Sequence, residues 1–126
     1  MTTPAAARKQ LRAHALKHPE AWADEPWPGD HVIKVGKKIF VFLGGEGSEV
    51  GLGVKLPRSL LFARAQTFVQ KMGYGMDKSG WVAVRLGKGD RIPLSLLLTW
   101  IDESYETVAA TALRKRRPAA APKIKR

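Results

Sequence analysis

His14 and His18 stand four residues apart in a stretch that reads as helix, a spacing that puts both rings on one face and can hold a metal ion. No glutamate follows His14, so the zinc-protease pattern His-Glu-x-x-His is not met. His31 is the only other histidine, and the chain has no cysteine, which removes disulfides, thiolate ligands and thiol catalysis together. With no third ligand in view and a basic helix around the pair, neither a zinc or iron site nor a cofactor is expected. Ser48, Ser59, Ser79 and Ser104 could be nucleophiles, yet none lies in Gly-x-Ser-x-Gly. The run Gly44-Gly-Glu-Gly lacks the Gly-Lys-Ser/Thr ending of a phosphate-binding loop, and its glutamate would repel phosphate. Asp102 and Glu103 are neighbours in a helical stretch and therefore diverge, so they make no matched acid/base pair. The expectation is a protein that is not an enzyme.

What remains is cationic. Lys34, Lys37, Lys38, Lys55, Arg58, Lys78 and Arg85 lie in or beside stretches that read as strands, with Trp81 among them. Cations so placed suit phosphate, where they set affinity rather than sequence choice. The competing reading is that strand-edge lysines guard against aggregation. Trp81 could stack on a base or brace a groove; alternatively it fills space left bare by Gly51 and Gly53. Bracing is preferred, since large aromatics are usually structural, and Trp22, Trp27 and Trp100 read as packing.

The whole chain of 126 residues carries a net charge of +11. Seven Lys/Arg and no acid fall in residues 114–126, leaving 15 basic against 11 acidic residues, a net +4, in the rest. Such a balance favours polyanionic partners, nucleic acid before membrane. The apolar runs are too short to cross a bilayer, and residues 1–19 lack the apolar centre of a secretory signal, so a cytoplasmic protein with no membrane partner is expected.

The elements that must position these residues are legible from periodicity. Thr3 before Pro4 is a helix start, and residues 5–17 should be helical up to Pro19. Residues 20–29, rich in tryptophan and proline, read as an ordered loop. Residues 31–35 and 38–43 read as strands joined by a tight hairpin at Gly36 and Lys37; the second is apolar on both sides (Ile39, Val41, Leu43 against Phe40, Phe42) and should be central. In residues 49–56 the alternation is strict: Val50, Leu52, Val54 and Leu56 against Glu49, Gly51, Gly53 and Lys55. Pro57 should open a helix to about Lys71, with Leu61, Ala65, Phe68 and Met72 on one face. Residues 73–77 are a link or an edge strand, and residues 80–86 alternate Val82, Val84 and Leu86 against Trp81, Ala83 and Arg85. A last helix over 93–113 should lay Leu94, Leu97, Leu98, Ile101, Tyr105 and Val108 on the sheet and turn Asp102, Glu103 and Glu106 to water. Residues 1–113 thus make a single α+β domain, a mostly antiparallel sheet with helices packed on one face, and 114–126 a basic disordered tail.

Four stretches, in this order and spacing, carry a resemblance to the MmcQ/YjbR family: His31-Val-Ile-Lys-Val-Gly-Lys-Lys-Ile-Phe-Val-Phe, Gly51-Leu-Gly-Val-Lys-Leu-Pro, Lys78-Ser-Gly-Trp-Val-Ala-Val, and Trp100-Ile-Asp-Glu-Ser-Tyr-Glu-Thr-Val. The resemblance implies a CyaY-like fold and a double-wing DNA-binding role, with Lys34, Lys55, Lys78 and Trp81 at candidate family positions. Likeness to frataxins does not bring iron chemistry with it. The function expected is binding of duplex DNA through the basic open sheet face and its hairpins. A protein-interaction or regulatory module with a basic tail is the alternative, and an enzyme or small-ligand protein using the depression at Trp81, Gly51 and Gly53 is the third class.

Overall fold

The Thr3 hydroxyl accepts the Ala6 amide at 3.1 Å and so caps α1 (Pro4–Leu16), the cap expected from the Thr-Pro pair. Ala7, Leu11 and Ala15 form the buried stripe of this helix. The structure, a computed structural model, describes residues 2–116, with side chains described through residue 113. Six strands follow α1: β1 (Ala21–Trp27), β2 (Asp30–Val35), β3 (Lys38–Gly44), β4 (Val50–Lys55), β5 (Val69–Lys71) and β6 (Trp81–Leu86). They form one sheet in the order β1-β2-β3-β4-β6-β5, antiparallel at every pairing. A short α2 (Leu60–Arg64) precedes β5, a 3-10 turn (Met76–Ser79) precedes β6, and α3 (Leu94–Arg116) follows the last strand. α1 and α3 pack on one face of the sheet and on each other. The α+β architecture expected from the periodicity is the one observed, with β3 in the sheet interior.

The core contains the residues assigned to it. Val50, Leu52, Val54, Val82, Val84, Leu97 and Ile101 are buried together, with Tyr105 packed at the margin. Trp100 is also buried, 6.2 Å from Phe68 between ring centroids.

Four expectations need correction. Residues 21–27 are an edge strand rather than a loop. Pro26 is tolerated because it lies on the sheet edge, within the register shift between Asp24 and Trp27, where no ladder donor is required. Trp22 and Trp27 are exposed on this strand instead of packed. The helix expected from Pro57 to about Lys71 is only the five-residue α2, Leu60–Arg64, and Pro57 lies in the turn before it. Thr67 and Val69 are β-branched, the outer edge of β6 is free to pair, and Val69, Gln70 and Lys71 take it up as β5. Leu61, assigned to the packed face, is exposed.

β3 does not alternate simply. Ile33 pairs with Val41 but Lys34 with Ile39, so Phe40 is an extra residue in a bulge. Phe40 and Val41 are both fully buried, while Ile39 and Phe42 are only partly covered. The fourth correction concerns α3. Its acidic side does not all face water: Glu103 is buried and accepts the Arg58 and Ser59 amides (2.8 and 3.1 Å) and the Ser59 hydroxyl (2.6 Å). α3 also continues past Leu113 to Arg116. The rest of the expected basic tail, residues 117–126, lies outside the described residues.

Candidate nucleic-acid interface

Cross-strand pairing decides which side chains share the face that α1 and α3 leave open. Lys34 stands opposite Trp22 and Ile39, Phe42 opposite Val32 and Gly53, Ala83 opposite Gly53 and Gln70, Lys55 opposite Trp81, and Arg85 opposite Gly51. Since neighbours across a pairing lie on the same side of a sheet, these residues form one surface.

At one end of that surface lies a depression of about 410 Å³. Lys34, Lys37, Lys38, Lys55 and Trp81, five of the eight residues singled out in the sequence, line it with Pro26, Trp27, Ile39, Phe42 and Met76. Lys37 and Lys38 are at the β2–β3 turn, where Gly36 at φ +62° lets the chain reverse, and both are exposed. Lys78 is exposed on the 3-10 turn that leads into β6. Lys34 is the least free of the cations: its Nζ lies 2.8 Å from an Asp24 carboxylate oxygen and 5.2 Å from the centre of the Trp22 ring. The same contact, with the Glu25 amide behind it, holds the Asp24 carboxyl below its ordinary range. Trp81 is buried at 8% exposure, edge-on to Phe42 at 5.4 Å, so it braces the depression and offers no free ring face to a base. The exposed aromatic here is Trp27, which sequence reasoning assigned to packing.

Arg85 and Arg58 stand apart from this cluster. Arg85 is four residues along the β4–β6 ladder from the Lys55–Trp81 pair, about 13 Å at strand rise. It borders a second depression, of about 490 Å³, floored by Gly44, Gly51, Gly53 and Ala83 and walled by Phe42, Met72, Tyr74 and Met76. Met72, rather than Trp81, covers the bare glycine: a Cβ built on Gly53 would lie 2.5 Å from the Met72 methyl. Tyr74 is fully exposed and held at φ +61° between Gly73 and Gly75. The available sequence sign of this wall was a lone tyrosine between two glycines, Gly73-Tyr74-Gly75. Arg58 is turned away from the open face altogether, its guanidinium 3.1 Å from Glu106 on α3.

On the helical side, His14 and His18 do meet a third group. Asp102 Oδ1 lies 2.7 Å from His14 Nε2 and 2.9 Å from His18 Nε2. The missing third ligand, which argued against a metal site, is therefore present in space; α3 supplies it from 88 residues beyond His14.

The YjbR family model matches residues 16–107. The chain belongs to the YjbR family. A solved relative in fold is the Deinococcus radiodurans protein DR2400, which carries a DUF419 domain. Its crystal structure superposes with a TM-score of 0.69 at 23% identity, over 92% of this chain and 91% of that one. No curated protein matches the chain. Membership of the YjbR family thus accords with the resemblance seen in the sequence, and the match ends before the basic residues 114–126. Among the described residues, no helix is long and apolar enough to cross a membrane.

Proposed function

We propose that this YjbR protein binds duplex DNA, without catalysing a reaction, through the open sheet face centred on Lys37, Lys38 and Lys55. The observation that carries the reading is the convergence of Lys34, Lys37, Lys38, Lys55 and Trp81 on one depression from three strands and a hairpin tip. The hairpin places two lysines at the end of a protruding turn, where they reach phosphates on one side of a groove while Lys55 and Lys78 serve the other. Trp27 supplies an exposed edge for sugar or base contact. Backbone contacts of this kind give affinity with little sequence preference. A DNA partner implies residence in the cytoplasm. The absence of catalysis is supported by the engagement of two candidate nucleophiles, since Ser104 and Ser59 are both committed to hydrogen bonds within the fold.

The test is duplex binding by fluorescence anisotropy with the full chain, over a salt series. Charge reversal at three exposed or half-exposed positions (Lys37→Glu, Lys38→Glu, Lys55→Glu) should weaken binding at least tenfold at low salt. The slope of log affinity against log salt should flatten by about 0.9 for each phosphate that is no longer neutralised. Unchanged affinity and slope would move the binding to the basic tail and end the open-face reading.

A second reading has its own observation, the glycine-floored depression beside Arg85 and Tyr74. Its chemistry suits a planar anion, the ring facing Tyr74 and the charge meeting Arg85. Saturable NMR shifts confined to Arg85, Tyr74 and Met72 on addition of a mononucleotide would support it; uniform shifts along the lysines would not.

A further inference from the structure

His14, His18 and Asp102 form a cluster that DNA binding does not use. The two histidines share a face of α1 and the turn after it, and Asp102 projects from α3 across the helix contact. Their three donor atoms all lie within 4.8 Å of one another. His14 Nε2 and Asp102 Oδ1 are hydrogen-bonded at 2.7 Å. His18 differs. Its Nε2 comes within 2.9 Å of the same oxygen, yet the approach falls outside hydrogen-bonding geometry, and this buried nitrogen has no hydrogen-bond partner among the described residues. An orphaned buried nitrogen is costly and asks for an explanation, a bound ion among them. Nor is the ring free to turn away, because it is stacked on Tyr105 at 4.3 Å and 10° and set edge-on to Phe40 and His14.

We infer that His14, His18 and Asp102 hold one divalent first-row transition ion, zinc, as a clip between α1 and α3. Two imidazole nitrogens and one carboxylate oxygen are a zinc-type donor set; magnesium and calcium prefer oxygen alone. Tetrahedral coordination at zinc bond lengths separates donors by about 3.3 Å, so the present 2.7 and 2.9 Å contacts need open by only about half an ångström. Each Nε2 then presents its lone pair to the metal and keeps its proton on Nδ1. The three side chains are 20–42% exposed, which leaves room for water at the fourth position. The ion would partner His18 Nε2 and tie together two helices that are far apart in the chain.

The experiment titrates the full chain with zinc against a chromophoric chelator. One zinc per chain is expected, with a Kd in the micromolar range or below, undisturbed by millimolar magnesium. Cobalt(II) should give visible d–d absorption of a low-symmetry site, and zinc should raise the thermal midpoint. His14→Ala should weaken zinc at least tenfold and abolish both the cobalt spectrum and the thermal shift; Asp102→Asn should do likewise. His31→Ala, which alters the remaining histidine, should change nothing. Circular dichroism identifies a variant that fails to fold, and His14→Ala, a half-exposed truncation, then decides alone. No saturable one-to-one binding by 100-fold excess zinc, or equal binding by the His14→Ala/His18→Ala double variant, would overturn the assignment.

Discussion

Ser104 lies at the centre of α3, fully buried, with its hydroxyl engaged on the sheet both as donor and as acceptor. It donates to the Phe40 carbonyl at 2.6 Å and accepts the Lys55 amide at 2.8 Å. Phe40 is the extra residue of the β3 bulge, and the β3–β4 pairing runs only as far as Val41 and Val54. The hydroxyl therefore bridges two backbone groups that the bulge has pulled out of the ladder. Ser104→Ala would remove the partner of both, the Phe40 carbonyl at a buried point and the Lys55 amide at a part-buried one. Each unsatisfied buried backbone group costs about 1–3 kcal/mol, so the substitution should destabilise the fold by about 2–6 kcal/mol in all, the extra apolar surface of alanine offsetting little. For a domain of this length that is a fall in Tm of about 8–24 °C. Urea denaturation followed by circular dichroism measures the loss, and hydrogen exchange locates it, since the Lys55 amide should lose protection before its β4 neighbours do. A Ser104→Ala protein within about 0.5 kcal/mol of the parent, with the Lys55 amide still protected, would refute the bridging account.

Two further substitutions probe the core and the interface. Ile101→Ala, at a fully buried position of α3, should cost about 2–5 kcal/mol in the same denaturation assay. Asp24→Asn should release Lys34 and strengthen duplex DNA binding in the anisotropy assay; unaltered affinity would place Lys34 outside the contact. The Asp24 carboxyl is held low by Lys34 first and the Glu25 amide second. Its contribution to stability is accordingly present above the ordinary carboxyl range and lost as pH falls through its lowered value. Parent and Asp24→Asn proteins should therefore differ in stability by a constant amount from about pH 5 to about pH 8 and converge as pH falls through the lowered Asp24 range, as pH-dependent melting will show.

The elements legible in the sequence are those whose period is unambiguous: the strict alternation of β4 and β6, the β2–β3 hairpin, and the long stripe of α3. Where the signal was short or mixed, a distant partner decided. Residues 65–72 carry a helical spacing of apolar groups too brief to outweigh the open edge of β6. β1 was hidden by Pro26, which is a strand breaker except on an edge. The lysine cluster could be anticipated because hairpin and alternation are local rules, and they carry Lys34, Lys37, Lys38, Lys55 and Trp81 to one side. The partners of Arg58 and of the two histidines could not, since Glu106 and Asp102 arrive from α3 by long-range packing. The burial of Glu103 has the same origin: its amide donors belong to the turn after β4, and nothing in the α3 sequence announces them.

The position of α3 also bears on how this domain is made. The strands and α1 emerge from the ribosome first, but Leu97, Trp100, Ile101 and Ala112, which seal the inner face of the sheet, come last. Until then a growing chain carries Val50, Val54, Val82 and Val84 with nothing of α3 laid across them. Such a chain is a target for chaperones and for self-association, and it cannot complete its fold until α3 has emerged. Any message truncated before Leu94 would yield not a weaker protein but an exposed apolar sheet, so deletions that remove α3 should be cleared by proteolysis rather than tolerated.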